Sequence, residues 1–132
     1  SEMCIRDSVY SVMIKNNLNE EDLQATQSKL IDEICAYVEQ KIYSRVSIDE
    51  ISAFFRISPR RLHQIFTKEL NISPKQYILK KKMEEGYKIL VQTTIPVNKI
   101  ANMLAFSSPY HFTHEFKKTF GITPREIRKE ND

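Results

Sequence analysis

Glycine is nearly missing: the 132-residue chain holds two, where ordinary usage is ~7%. Gly-rich phosphate loops, collagen-like repeats and glycine-turned β-barrels are therefore not expected. No apolar run approaches the ~18 residues that span a bilayer, so no membrane segment is expected. No basic-then-apolar leader opens the chain. The two cysteines, Cys4 and Cys35, cannot make a disulfide framework, and neither has a second Cys or His at metal-ligand spacing. His111 and His114 are a lone H-x-x-H pair with no cysteine or carboxylate motif around them, so no metal and no other cofactor is expected. A nucleophile elbow and a paired-carboxylate motif are likewise lacking, which argues against an enzyme. Free thiols and the missing leader fit a reducing, cytoplasmic setting.

What is there is helical and unevenly charged. Apolar residues make up 41%, enough for a modest core and too many for a disordered chain. The net charge of +3 hides an asymmetry. Residues 1–55 carry five basic and ten acidic side chains, net −5, while residues 56–132 carry fifteen and seven, net +8. A basic half on an acidic stem points to a polyanion partner for the second half. Ser1–Ser8 has no helical or strand period and resembles translated adaptor sequence. It is set aside from fold reasoning, and the chain is expected to be the C-terminal piece of something longer.

From Asn19, a fair N-cap, the pattern becomes helical. Glu20, Glu21 and Asp22 place negative charge in the first turn, where the helix dipole favours it. Leu23, Leu30, Ile31, Ile34, Val38 and Ile42 follow a 3.6-residue period, with a break expected near Ser28. Ser47 followed by Glu50 is a capping box, so a second helix starts at about Ile48 and buries Ile48, Ile51 and Phe55. Ser58–Pro59, Ser73–Pro74, Ser108–Pro109 and Thr123–Pro124 each read as an N-cap followed by proline at the first helical position. There the hydroxyl satisfies an orphan N–H, and the missing proline N–H costs nothing. No segment alternates as a strand would, so the class is all-α.

The second half repeats the first. Ser58-Pro59, Leu62, Phe66 and Lys68 match Ser108-Pro109, Phe112, Phe116 and Lys118 at an offset of 50 residues. Ile51, Phe55 and Ile57 match Ile100, Leu104 and Phe106 at an offset of 49. The one-residue difference falls in the turn, where insertions cost least. The organisation is thus two helix-turn-helix units, residues 48–70 and 97–120, joined by a long linker helix, residues 74–92. A domain of residues 30–132 follows an N-terminal helical arm or linker, residues 1–29. A 19-residue linker helix is roughly 28 Å long, of the order of the ~34 Å between successive major grooves on one face of B-DNA. Two second helices held by such a rod suit adjacent major grooves.

In the first of these helices Leu62, Ile65 and Phe66 are apolar at helical spacing and belong to the core. Arg60, Arg61, His63, Gln64, Thr67 and Lys68 are left outside. In the second, Phe112, Phe116 and Phe120 form the core stripe, leaving Tyr110, His111, Thr113, His114, Lys117 and Lys118. Lys80, Lys81 and Lys82 on the linker helix read as a solvated charge run, with one or two near a nucleic-acid backbone. Lys99 lies near a helix start, where phosphates also sit.

The stretch Ile100 to Arg128 resembles the signature of the DNA-binding domain of AraC/XylS transcription regulators. It carries Ile100-Ala101, an aromatic Phe106 after the turn, Phe112-x-x-x-Phe116-Lys117-Lys118, Gly121-x-Thr123-Pro124 and a closing Arg128. The first unit, Ile51–Pro74, matches more loosely, and the resemblance covers about residues 30–130. It implies sequence-specific binding of double-stranded DNA and regulation of transcription. It implies base contacts from Arg60, His63 and Gln64 in the first unit and from Tyr110, Thr113 and His114 in the second. Arg61, Thr67, Lys68, Lys99, Lys117 and Lys118 are the phosphate contacts, and Arg128 supports packing. RNA polymerase is an implied partner, and a homodimer would form through the N-terminal arm or an upstream domain. Arg56 and Ala105 stand in the turns where the family usually has glycine, Ser52 where it often has alanine, and Gly86 where a small residue, usually alanine, is typical. Those turn residues motivate an alternative: a helical protein-interaction or dimerisation module with decayed DNA binding.

Overall fold

The computed structural model describes residues 20–131. They form α1 (Glu20–Gln40), α2 (Ile48–Phe55), α3 (Pro59–Leu70), α4 (Pro74–Gln92), α5 (Val97–Met103), α6 (Pro109–Phe120) and α7 (Pro124–Asn131). Among the described residues there is no strand, and no helix is long and apolar enough to cross a membrane. Asn19, the expected cap of α1, and the segment Ser1–Ser8 lie outside the described residues. The break expected near Ser28 does not occur, and α1 runs unbroken through it. The apolar period continues across Ser28 to the buried Ile31 and Ile34, and tertiary burial outweighs the weak helix preference of one serine.

The chain forms two compact units. The first holds residues 20–37 of α1 together with residues 47–74, which supply α2 and α3. Ile31, Ile34, Ile51, Phe55, Leu62, Ile65 and Phe66 are buried in its hydrophobic core. The ring of Tyr37 lies 4.6 Å from that of Phe54 and 5.6 Å from that of Phe55, centroid to centroid.

The second unit holds residues 38–46 and everything from residue 75 onward. Its core is Met83, Ile89, Leu90, Ile100, Ala101, Leu104, Phe112, Phe116 and Ile127. Gly86 belongs to this packing. A Cβ added there would meet Phe112 Cε1 at 3.0 Å and Leu104 Cδ1 at 3.2 Å. The sequence marks Gly86 as a loss of helix propensity; the structure shows a close approach of α4 and α6 that a methyl group would obstruct.

Phe120 is not sealed in the core but 36% exposed. It sits at the last position of α6, its ring tilted against those of Phe116 at 4.6 Å and Tyr87 at 5.2 Å. Lys82 is not solvated but 7% exposed. Its Nζ donates to the carbonyls of Ile42 and Ser44, both at 2.9 Å, and of Leu104 at 2.6 Å. Arg128 does support packing. Its guanidinium donates to the carbonyls of Leu90 and Thr93, both at 3.2 Å, and of Ile95 at 2.5 Å. These carbonyls lie at and beyond the C-terminal end of α4, where helical partners run out.

Candidate nucleic-acid interface

Each unit presents one helix behind a tight turn, and both turns are built by the same local chemistry. Ser47 opens α2 by accepting the Glu50 N–H at 3.0 Å. Arg56 ends α2 in the left-handed conformation, φ 57°, and the Ile57 N–H closes the turn onto the Ser52 carbonyl at 3.1 Å. Ser58 then caps α3, accepting the Arg61 N–H at 3.0 Å, with Pro59 as the first helical residue.

In the second unit Ala105 is left-handed at φ 60°. The Phe106 N–H closes onto the Ala101 carbonyl at 3.0 Å, and Ser108 caps α6 through the His111 N–H at 3.0 Å. Arg56 and Ala105, Ile57 and Phe106, and Ser52 and Ala101 are repeat-related pairs, so the duplication read in the sequence is a duplication of hydrogen bonds. The far ends match as well, with Asn71 at φ 61° and Gly121 at φ 77° ending α3 and α6. The entry to α5 differs. Pro96 precedes it with no side-chain cap, whereas Ser47 caps α2.

These turns decide which faces of α3 and α6 look outward. On α3, Leu62, Ile65 and Phe66 are buried, and Arg60, His63, Gln64, Thr67 and Lys68 are exposed, with Arg61 half-buried. Thr67 Oγ1 donates to the His63 carbonyl at 2.8 Å, so its proton is used within the helix and its oxygen is left as an acceptor. On α6, Phe112 and Phe116 are buried. Tyr110 is 81% exposed, His114, Lys117 and Lys118 are exposed, and Thr113 is half-buried. Lys99 is exposed on α5. His111 is held against its own turn: Nδ1 lies 3.2 Å from Ser107 Oγ, and its ring meets Phe106 edge-on at 5.3 Å. Each helix therefore keeps an apolar stripe inside and a polar strip in water, with Arg60, Arg61 and Lys68 as the cations on α3 and Lys117 and Lys118 on α6.

Tyr110 and Thr113, expected from the sequence, are joined by residues that the sequence does not connect to them. Pro96, Val97, Asn98, Pro109, Tyr110, Thr113 and Arg125 line an open cleft of about 480 Å³. Asn98 and Arg125 come from α5 and α7, and helical spacing links neither to Tyr110. Only the second unit's fold brings them to the head of α6.

Residues 51–130 match a family model described as a helix-turn-helix domain. Over 129 residues the chain is 28% identical to the HTH-type transcriptional regulator GbdR of Pseudomonas aeruginosa, covering 98% of this chain and 35% of that protein. Over 119 residues it is 32% identical to the regulator ArgR of the same species, covering 90% of this chain and 34% of that protein. The chain thus spans about a third of the length of these relatives. A crystal structure of an AraC-type transcriptional regulator from Chromobacterium violaceum superposes with a TM-score of 0.74 at 29% identity, covering 81% of this chain and 96% of that one. The DNA-binding domain of AdpA, solved in complex with a target DNA, shares the fold at 18% identity, with a TM-score of 0.72 over 75% of this chain and 89% of that one. With its two repeated turns and the outward strips behind them, the chain belongs to the AraC-type helix-turn-helix family of transcription regulators.

Proposed function

We propose that the chain binds double-stranded DNA at a specific sequence and so regulates transcription, with α3 and α6 each entering a major groove. The observation that carries this is the division of each helix: Arg60, His63 and Gln64 stand in water on α3 while Leu62, Ile65 and Phe66 are sealed. Tyr110 and His114 stand in water on α6 while Phe112 and Phe116 are sealed. Residues near the start of a recognition helix reach base edges best. Arg60 has the fork that grips guanine O6 and N7, Gln64 the amide that pairs with adenine N6 and N7, and Thr113 a methyl for thymine. Arg61, Lys68, Lys99, Lys117 and Lys118 serve phosphates, Thr67 joins them by turning its hydroxyl from the His63 carbonyl to the duplex, and Arg125 and Asn98 extend that set at the head of α6. The two grooves are adjacent ones on a single duplex. Recruitment of RNA polymerase and pairing with a second copy belong to the same proposal, tested by transcription in vitro and by sedimentation.

Binding-site selection from a random duplex pool tests the reading. It should return a site with two half-sites separated by about one helical turn. Arg60→Ala should then cost about 1–3 kcal/mol on the selected site and relax preference at one base. An equal loss on every sequence moves Arg60 to phosphate, and a pool that returns no enriched site sinks the proposal. The turns with Arg56 and Ala105, which motivated the alternative of an interaction module, form the left-handed geometry without glycine.

A further inference from the structure

Lys82 is the only charged side chain buried among the described residues. Its ammonium has three protons and three acceptors, the carbonyls of Ile42, Ser44 and Leu104, so its donor capacity is filled. The acceptors come from two places. Ile42 and Ser44 lie in the turn that follows α1. Leu104 is the C-cap of α5, the last residue before left-handed Ala105 and the launch of α6. The segment after α1 is held to α4 from its outer side too. Tyr43 Oη donates to Glu85 Oε1 at 2.5 Å, and Lys81 Nζ lies 3.4 Å from Glu39 Oε1. Burial pushes the Lys82 ammonium down from its ordinary range, while carbonyls on all three protons favour the charged form. A buried cation cannot leave its acceptors cheaply, so the turn at Leu104 and the segment at 42–44 move with Nζ or not at all.

We infer that Lys82 is a positioning residue for DNA reading by α6: it fixes the turn at Leu104–Ala105 against residues 42–44, so that the aim of α6 depends on where that segment lies. All its partners lie within the second unit, so the effect is expected on α6 ahead of α3. The inference rests on the proposed DNA binding.

The test is hydroxyl-radical footprinting on the selected duplex, with thermal unfolding of each protein followed alongside. Arg60→Ala and Thr113→Ala assign each half-site to its helix. Lys82→Met should weaken protection of the α6 half-site by about tenfold, a typical coupling between sites, and leave the α3 half-site within about twofold by the same measure. Lys82→Arg, whose guanidinium still offers N–H groups to the carbonyls, should restore most of it. Tyr43→Phe removes one exposed strap and no core contact, and should weaken the same half-site by a smaller factor. If Lys82→Met fails to fold at the assay temperature, Lys82→Arg and Tyr43→Phe carry the comparison between half-sites. Losses shared equally by both half-sites, or no loss in either, overturn the positioning role and leave DNA binding standing. A wild-type chain that protects neither half-site overturns both.

Discussion

Ser52 is buried, and its Oγ has no hydrogen-bond partner among the described residues. The repeat puts Ala101, 1% exposed, at the matching place in the second unit, which shows that this corner of a helix-turn-helix needs only a methyl group. An unmatched buried hydroxyl costs about 1–3 kcal/mol, and replacing it with an apolar atom recovers part of that. Ser52→Ala should therefore stabilise the protein by about 1 kcal/mol in urea unfolding; a loss of stability would reveal a partner for Oγ. Gly86 is the opposite case. Propensity alone favours Gly86→Ala by about 1 kcal/mol, but the new methyl would press on Phe112, whose ring is flanked by Phe106 at 5.3 Å and Phe116 at 5.7 Å. Overpacking costs about 1–3 kcal/mol, so Gly86→Ala should fail to stabilise, and Gly86→Val should lower the urea midpoint clearly. A stabilised Gly86→Ala would mean that the Phe112 ring yields.

At the scale of elements, the helices were legible because their signals are local. Ser58–Pro59 and Ser108–Pro109 announce α3 and α6 within two residues, and the observed hydroxyl caps are those the pairs call for. The outward strips of α3 and α6 were legible for the same reason, since 3.6-residue spacing separates Leu62 from His63 and Phe112 from Tyr110. What escaped was non-local. Lys82 reads as one of three adjacent lysines, and its acceptors lie 22 to 40 residues away. Gly86 reads as a weak helix former until Phe112 is known to lie against it. Phe120 continues a four-residue stripe, but α6 ends there, and the core goes on through Ile127 of α7 instead. The turns give a test at this scale. Ala105 at φ 60° bears a left-handed cost of about 1–2 kcal/mol, against which glycine adds about 0.5–1 kcal/mol of unfolded-state entropy. Ala105→Gly should gain about 0.5–1 kcal/mol in thermal unfolding, and a loss would show that the Ala105 methyl packs usefully.

At the scale of the whole molecule, charge sets how the protein meets a polyanion. The half that carries α3 and α6 is net +8 and the half before it net −5, so attraction is concentrated beside the outward strips. With about five phosphates neutralised, the logarithm of the association constant should fall with a slope of about −4 to −5 against the logarithm of salt concentration. A flat series in a mobility-shift titration would remove phosphate neutralisation as the source of affinity. Counterion release is not the whole account, because Tyr110 keeps most of its ring in water in the free protein. Closing a groove over that ring removes apolar surface from solvent, a contribution that screening leaves untouched. If Tyr110 enters a groove as proposed, the complex should keep a remnant of attraction in strong brine, one that belongs to α6 and vanishes with a single aromatic ring.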